Sequence, residues 1–224
     1  MLHPGDLKLT VERYLNQLLE PVRKTLNTPE LQKISQLAYP PLNKNGQIKS
    51  ALTVQSELSP AVLDIRVGKI VEIQKHPDAD SLYVSKVDLA EPSGLRTVIS
   101  GLAKVIPIDE LKDRNVVVLC NLKPCKMRGI ESTGMILCGS IDEPKQVEPL
   151  DPPQNSASGD RVYVKGYSSE DTEKSILNPK HKIWEKLQTD FIVSESSVAE
   201  WKNCSLITDK GLVTVKNLKN VPIK

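Results

Sequence analysis

The sequence contains few aromatic residues and no long apolar run. Aromatic residues make up 4% of the 224 residues, with a single Phe, and this scarcity excludes an RNA-binding module that stacks several bases on aromatic rings. The longest unbroken apolar run covers residues 116–120, far short of the roughly 20 residues that cross a bilayer, so we expect no membrane insertion. Residues 1–20 lack the apolar core of a signal peptide because charged side chains interrupt them: Asp6, Lys8, Glu12, Arg13 and Glu20.

An excess of one charge and a metal-binding cysteine pattern are also missing. Lys plus Arg number 30 and Asp plus Glu number 28, which gives a net charge of +2. A polybasic chain is therefore excluded, and any anion-binding surface must be a local patch. The cysteines follow no CxxC spacing and the histidines are scattered, so we predict no metal site, no cofactor and a reduced, intracellular protein with buried thiols. These residues are Cys120, Cys125, Cys138 and Cys204, with His3, His76 and His181.

Periodicity and proline content divide the chain into four segments. Residues 1–39 carry apolar side chains at helical spacing and are predicted to form a short helical segment, too small to have its own core. Residues 40–60 show little periodicity and are predicted to be a flexible linker. Residues 61–144 form a β-rich segment, and residues 145–224 form a mixed α/β extension.

The β-rich segment favours a five-stranded barrel of the OB type, in a fold that is mainly β with some helix. Alternating apolar residues predict a long first strand over 63–73, with a bend or bulge at Gly68. Further strands are expected over 82–89, 96–100, 116–122 and 135–140, with a short helix within 107–113. A β-sandwich is the structural alternative, but five strands are few for that architecture.

The extension is predicted to alternate short strands and helices. Residues 161–167 favour a strand, and Asn178-Pro179 opens a helix that continues to Leu187. A second short helix is expected over 194–201, followed by a hairpin with its turn at 209–211.

The densest basic signal consists of Lys123, Lys126 and Arg128, in a stretch without acidic residues from 116 to 130. In the predicted barrel they lie in the loop before the last strand, which borders the nucleic-acid face of OB folds. A cluster of cations binds phosphates with release of counterions, although by charge alone an ordinary solvated surface is the commoner interpretation. Three more cations on the first three strands extend the patch: Arg66, Lys86 and Arg96.

Three blocks of sequence resemble one known family. They are LDIRVGKI at 63–70, HPDADSLY at 76–83, and NLKP at 121–124 followed by KMRGIES at 126–132 and Gly134-Met135. In this order they resemble the tRNA-binding domain shared by endothelial-monocyte-activating polypeptide II, the bacterial tRNA-binding proteins and the appended domains of some aminoacyl-tRNA synthetases. The resemblance implies an OB fold that recognises tRNA by shape rather than by base sequence.

Other blocks resemble the C-terminal region of eukaryotic cytoplasmic tyrosyl-tRNA synthetases. They are HPGDLK at 3–8, LEPVR at 19–23, AYP at 38–40, VEPLDPP at 147–153 and VKGY at 164–167. The resemblance implies a remnant of the anticodon-recognition helices at 1–39, a linker, an OB domain at 61–144 and a polypeptide II-like extension at 145–224. The catalytic domain is missing, and KMRGI at 126–130, which superficially resembles a KMSKS loop, lies inside the barrel block. We therefore expect no enzymatic activity of this chain.

The resemblance also assigns individual contacts. It implies that Ser132 and Met135 touch tRNA, Ser132 through a hydroxyl that can bond a phosphate or a 2′-OH, while Met135 could equally belong to the core. Asn121 is either a ribose or base-edge partner or the residue that ends its strand. His76, which precedes Pro77, is expected to shape a turn rather than to bind a ligand.

Residues 66–72 resemble a heptapeptide that the family links to cytokine activity of the released domain. They are Arg66, Val67, Gly68, Lys69, Ile70, Val71 and Glu72, with Glu72 where related sequences often carry Thr. The same residues are also an ordinary amphipathic first strand. The resemblance gives an alternative function, a signalling fragment that is secreted without a signal peptide and acts on a cell-surface receptor.

In the family, the extension packs on the barrel and copies the subunit interface of bacterial dimers. Trp184, Leu187, Phe191 and Trp201 would be its buried anchors, or else a surface for a partner. From these observations we expect a cytoplasmic, non-catalytic tRNA-binding module. It would help the catalytic domain of a parent tyrosine-tRNA ligase to capture tRNA for aminoacylation.

Overall fold

The computed structural model describes residues 58–167 and 175–224. The predicted helical segment at 1–39 and the predicted linker up to residue 57 lie outside the described residues. Leu58–Lys224 form one compact unit, so the boundary predicted between residues 144 and 145 falls inside that unit.

Most of the described elements are short antiparallel strands. In chain order the strands are β1 Ile65–His76, β2 Ala79–Asp88, β3 Arg96–Ser100, β4 Asn115–Leu119, β5 Cys125–Met127, β6 Ile130–Ser132, β7 Met135–Ile136, β8 Cys138–Ile141, β9 Gln146–Pro149, β10 Arg161–Val164, β11 Phe191–Val193, β12 Ala199–Trp201, β13 Cys204–Thr208, β14 Gly211–Leu212 and β15 Val221–Pro222. The helices are α1 Ile108–Leu111 and α2 Ile183–Gln188, with 3-10 turns at Pro60–Val62 and Pro179–His181. The mainly β class is confirmed. Within the two described ranges, no helix is long and apolar enough to cross a membrane.

The long strand β1 organises the first part of the unit. From Ile65 to Lys69 it pairs with β4, and from Lys69 to His76 it pairs with β2. β2 pairs onward with β3, and β4 pairs onward with β7. The register between β1 and β2 shifts between Ile70 and Glu72, so the irregularity expected at Gly68 lies at Val71 instead.

Gly68 is needed for a close approach between β1 and β2. A Cβ at this position would lie 2.6 Å from Val87 Cγ1 and 2.9 Å from Leu89 Cδ2. Because these distances are well inside van der Waals contact, any larger side chain would force the two strands or their side chains apart.

Strand β4 is buried on both faces. Val116 and Val118 belong to one apolar cluster, together with Ile70, whereas Val117 and Leu119 belong to a second one. Successive side chains of a strand point to opposite faces, so an unbroken apolar run is the pattern that two-sided burial requires. The first cluster fills the space enclosed by β1–β4, and the second lies between these strands and the C-terminal extension.

The extension continues the sheet that β1 begins. β10 pairs with β1 at Ile65 and Arg66, and β13 pairs with β10. The predicted anchors are buried here: Trp184 packs on Phe191 with ring centroids 5.6 Å apart, and Trp201 Nε1 donates a hydrogen bond to the Leu187 carbonyl at 3.2 Å. Of the two roles considered for these anchors, the structure supports packing.

Three local predictions are wrong or incomplete. Residues 194–201 do not form a helix, because residues 199–201 pair with β11 as strand β12. The helix predicted from Asn178 is divided in two at Lys182, whose φ of 49° is left-handed. The loop predicted before the last barrel strand contains the hairpin β5–β6, whereas the predicted hairpin turn after Thr208 is confirmed.

Glu148 connects β9 to the C-terminal segment. Its carboxylate accepts hydrogen bonds from the N–H groups of Asn217 and Leu218 at 2.8 and 3.0 Å and from Asn217 Nδ2 at 2.7 Å. Burial opposes ionisation, but these hydrogen bonds outweigh it and hold the pKa of Glu148 below its ordinary value of 4.5.

We predict that Gly68→Ala lowers the free energy of unfolding by about 1–3 kcal/mol, because the added methyl group overpacks the β1–β2 contact. Urea denaturation followed by circular dichroism measures the change. Gly101→Ala is the matched control, since a Cβ at Gly101 meets no atom within 4 Å. Equal denaturation midpoints for the two variants would contradict the prediction.

We predict that Glu148 makes part of the stability dependent on acid pH. Its pKa is lower in the folded chain, so its contribution is present above the unfolded pKa and is lost as pH falls through the folded pKa. In denaturation series between about pH 6 and pH 3, the free energy of unfolding should fall less with acid for Glu148→Gln than for wild type. If the free energy of unfolding depended on pH equally in both proteins, this role of Glu148 would be refuted.

Candidate nucleic-acid interface

Three of the six cations predicted from sequence, Lys123, Lys126 and Arg128, lie on one exposed hairpin, which we call the cationic hairpin (residues 123–132). Strands β5 and β6 pair in it, with Met127 opposite Ile130. The connecting residues Arg128 and Gly129 have φ angles of 48° and 92°, as a two-residue type I′ turn requires. A glycine in the second position makes this turn accessible at little cost.

Lys123, Lys126 and Arg128 are all exposed. Among residues 58–167 and 175–224, none of the three forms an ion pair with a carboxylate. The opposing strand contributes one acid, Glu131, which is the cross-strand partner of Lys126. The hairpin therefore presents three ammonium or guanidinium groups to solvent with one nearby carboxylate.

His76 fixes the base of the cationic hairpin. Its Nδ1 accepts the N–H of Asp78 at 3.1 Å, so the ring proton is on Nε2, which donates to the Met127 carbonyl at 3.2 Å. The imidazole is only 3% exposed. It thus shapes the β1–β2 turn, as expected, and also links this turn to the hairpin, a contact that the sequence did not indicate.

Arg66 and Arg96 belong to a charge ladder, the alternating series Arg161, Asp64, Arg66, Glu91 and Arg96. Arg66 donates to both oxygens of Asp64 at 2.8 Å and approaches Glu91 at 3.4 Å. Arg96 donates to both oxygens of Glu91 at 2.7 Å, and Arg161 pairs with Asp64 from the extension side. The ladder joins the barrel strands to β10 through side chains as well as through the sheet.

Both predicted arginines have most of their donors occupied. Arg96 also donates to the carbonyls of Cys120 at 2.6 Å and of Thr133 at 2.9 Å. The hydrogen bonds to Glu91 and Asp64 raise the pKa of Arg96 and of Arg66, against the opposing effect of burial. The two guanidinium groups stay charged, but their charge is largely compensated by carboxylates.

Four ladder residues, Asp64, Arg66, Glu91 and Arg96, line an open cleft of about 790 Å³. Thr97, Asn121, Thr133 and Ile176 also line it. Lys86 is exposed on β2, and its Nζ donates to Thr97 Oγ1 at 2.9 Å. Arg66 and Arg96 thus share one cleft, to which Lys86 is connected through Thr97.

Asn121 is buried, and both ends of its side-chain amide are hydrogen-bonded within the protein. It is 2% exposed; its Oδ1 accepts the Asp64 N–H at 3.0 Å, and its Nδ2 donates to the carbonyls of Val62 and Ser175 at 2.9 and 3.0 Å. Of the two roles left open by the sequence, the structure supports that of a residue that ends its strand.

Ser132 and Met135 are also engaged within the protein. Ser132 is 5% exposed; its Oγ accepts the Ile99 N–H at 3.0 Å and donates to the Gly134 carbonyl at 2.9 Å. These bonds join β3 to the segment that follows the hairpin. Met135 is half-buried against the second apolar cluster. We therefore exclude Asn121 and Ser132 from the interface proposed below.

The cysteines differ in exposure more than expected. Cys120 and Cys138 are buried, and burial raises the pKa of each thiol to about 12. Cys125, in contrast, is exposed on the hairpin, so the expectation of buried thiols is wrong for this residue. Within the described ranges, no group of three His, Cys, Asp or Glu side chains is arranged to hold a metal ion.

The segment 66–72 is an inner part of the sheet. Val67, Gly68 and Ile70 are buried, and hydrogen-bonded strands lie on both sides of β1. Arg66 is partly buried, and Lys69, Val71 and Glu72 are exposed. In the folded unit, only these last three side chains of the segment are fully open to a partner.

Comparisons with known proteins match the chain to a family of tRNA-binding domains. A family model described as "Putative tRNA binding domain" matches residues 65–161. The crystal structure of the C-terminal domain of Plasmodium vivax p43 matches with a TM-score of 0.62 and 32% identity, covering 73% of this chain and 98% of that one. The chain belongs to this tRNA-binding domain family. The family resemblance inferred from the three sequence blocks is thereby confirmed.

Two curated relatives of this tRNA-binding domain are longer than the chain. It is 52% identical over 223 residues to the cytoplasmic tyrosine–tRNA ligase of Gallus gallus, covering 98% of this chain and 42% of the relative. It is 46% identical over 163 residues to aminoacyl tRNA synthase complex-interacting multifunctional protein 1 of Cricetulus griseus, covering 72% of this chain and 44% of the relative. The chain thus spans less than half of these proteins. It matches the C-terminal tRNA-binding region of the ligase and not the catalytic part.

We predict that Arg96→Lys destabilises the fold by roughly 1–3 kcal/mol although the charge is kept. A single ammonium group cannot reach the Glu91 carboxylate and both carbonyl acceptors together, so buried acceptors lose their partner. Lys86→Met is the matched control, with an expected change within about 0.5 kcal/mol because Lys86 is exposed. Chemical denaturation compares the two variants, and an unaffected Arg96→Lys protein would contradict the ladder's structural role.

Proposed function

We propose that residues 61–144 form an OB-type barrel that binds tRNA by shape, through phosphates and riboses rather than base sequence. The strands β1–β4, together with the segment 135–141 that contains both β7 and β8, would supply the five strands of such a barrel, and the Ser132 hydrogen bonds support its closure. The observation that carries the proposal is the cationic hairpin: Lys123, Lys126 and Arg128 are exposed and lack carboxylate partners among the described residues.

The electrostatics divide the predicted cations into two sets. Within the described ranges the hairpin cations form no ion pair with a carboxylate, so binding to closely spaced phosphates relieves repulsion among them and releases counterions. Arg66 and Arg96 are held by Asp64 and Glu91, and the ladder's three guanidinium groups face two carboxylates. We assign the main phosphate contacts to the hairpin. Lys86 and the ladder arginines would make weaker phosphate contacts at the edge of the interface. Met135 would contribute an apolar contact to the RNA beside the hairpin.

The relatives suggest the context in which this binding acts. We propose that the chain is part of a tyrosine-tRNA ligase and that its domain boundaries follow the predicted 1–39, 40–60, 61–144 and 145–224 division. A binding module linked to a catalytic domain raises the local concentration of tRNA at that domain. Its partners are tRNA and the catalytic domain, its site is the cytoplasm, and no cofactor is required.

The alternative, a secreted fragment that signals to a cell-surface receptor through residues 66–72, stays a prediction. Val67, Gly68 and Ile70 are buried and Arg66 is paired with Asp64 and Glu91, so Lys69, Val71 and Glu72 are the side chains of this segment that a receptor could reach. tRNA binding is therefore the function that the described surface supports best.

We predict that Lys123→Glu/Lys126→Glu/Arg128→Glu weakens tRNA binding and lowers the slope of log K against log salt by roughly two to three, near one for each lost phosphate contact. Fluorescence anisotropy with a tRNA transcript at several salt concentrations measures both quantities. Unfolding curves verify that the variant is folded.

The matched control is Lys180→Glu/Lys186→Glu/Lys219→Glu, which changes the net charge equally at exposed positions of the extension. We expect a small loss of affinity and an unchanged salt slope. Equal effects of the two triple variants would show that net charge, and not the hairpin, governs binding and would refute the site.

A further inference from the structure

A second cleft lies on the other side of the cationic hairpin. It encloses about 330 Å³, and its walls are mainly apolar, with Leu102, Met127, Met135 and Ile141 among them. Met127 belongs to both features, because it lines the cleft and stands between Lys126 and Arg128 in the hairpin. A group that enters the cleft is therefore close to the cations that would hold RNA phosphates.

Two hydroxyl groups at this cleft have no partner. Ser100 and Ser140 line it, and the Oγ atoms of both are buried without a hydrogen bond in the described part of the chain. Ser140 is only 7% exposed. Buried hydroxyls are nearly always hydrogen-bonded in folded proteins, so two unpaired ones at the same cleft indicate a missing polar partner.

We propose that this cleft receives one unstacked nucleobase of the bound RNA, an inference that rests on the proposed function. A base offers a flat apolar face for the Met and Leu side chains and polar edges for the Ser100 and Ser140 hydroxyls. Lys126 and Arg128 flank Met127 in the hairpin and would supply cations for the phosphates next to that base. An apolar side chain of a protein partner would fill the same volume, but it would leave the hydroxyls unpaired and would make no use of the neighbouring cations.

The charged groups at the mouth are compatible with this occupant. Lys145 and Lys224 line the cleft, and Lys224 pairs with Asp142 at 2.8 Å. The base enters as a neutral group, so the compensated Asp142 does not oppose it. The cleft adds contacts to unpaired nucleotides, and a loop or an unpaired end of a folded RNA supplies such nucleotides, whereas a regular duplex does not.

The test compares two RNA duplexes of equal length, one fully paired and one with a single bulged 2-aminopurine. We expect wild type to bind the bulged duplex about tenfold more tightly, the order typical of one base packed on a protein. The fluorescence of 2-aminopurine should also change on binding. Gly101→Trp should abolish the difference, because Gly101 lines the cleft and has open space at its Cβ. Ser140→Ala, which leaves the volume unchanged, should reduce it.

Two controls keep this inference separate from the proposed function. Ser196→Trp adds the same bulk at an exposed turn of the extension and should leave the preference for the bulge intact. All variants should keep wild-type affinity and salt slope for the paired duplex, since the hairpin is unchanged.

Each other outcome overturns the proposal. Equal binding of both duplexes by wild type, with normal tRNA binding, would refute the base site and leave the proposed function standing. Absence of any RNA binding would refute both. Equal duplex binding, together with concentration-dependent self-association that Gly101→Trp abolishes in sedimentation, would assign the cleft to a protein side chain.

Discussion

The two-sided burial of β1 and β4 is the constraint on which the rest of the structure depends. β4 sends alternate side chains into two apolar clusters, and β1 contributes Ile65 and Val67 to one of them and Ile70 to the other. Burying one Val or Leu side chain contributes about 1.5–3 kcal/mol, and these strands bury several on each face. Because the same backbone serves both clusters, strands β1 and β4 share one apolar cluster with the extension, and the surface elements are positioned relative to it.

The charged residues fall into two sets, those that stabilise the fold through ion pairs and those that are available to a ligand. The ladder places compensated charges where strands of the barrel and the extension meet, and its donors reach backbone carbonyls that no strand pairing satisfies. The hairpin, closed by a two-residue turn, carries three cations that form no ion pair within residues 58–167 and 175–224. A polyanion is attracted most strongly to the second set, because compensated charges attract little at a distance.

Some features of this fold and site could be predicted from the sequence, and others could not. The alternation in β1 and the apolar run in β4 predicted strands because they depend on local periodicity, and the exposed hairpin cations follow from charge and loop position. In contrast, residues 194–201 were misread as a helix, because their strand state depends on pairing with Phe191–Val193. The hydrogen-bond partners of Asn121 and Ser132 could not be predicted for a similar reason: Asp64, Val62 and Ile99 lie far away in the chain. Residue type shows that such groups form hydrogen bonds but not which partner they find.

The shared core also decides what proteolysis would leave behind. A polypeptide cut after residue 144 would keep β1 and β4 but would expose Ile65, Val67, Val117 and Leu119 together with the free edge that β10 now covers. An open edge beside an apolar face is a template for association with other chains. The barrel is thus not a detachable part: shortened from its C-terminal side, it would be driven to aggregate or to cover the same surface with a second copy.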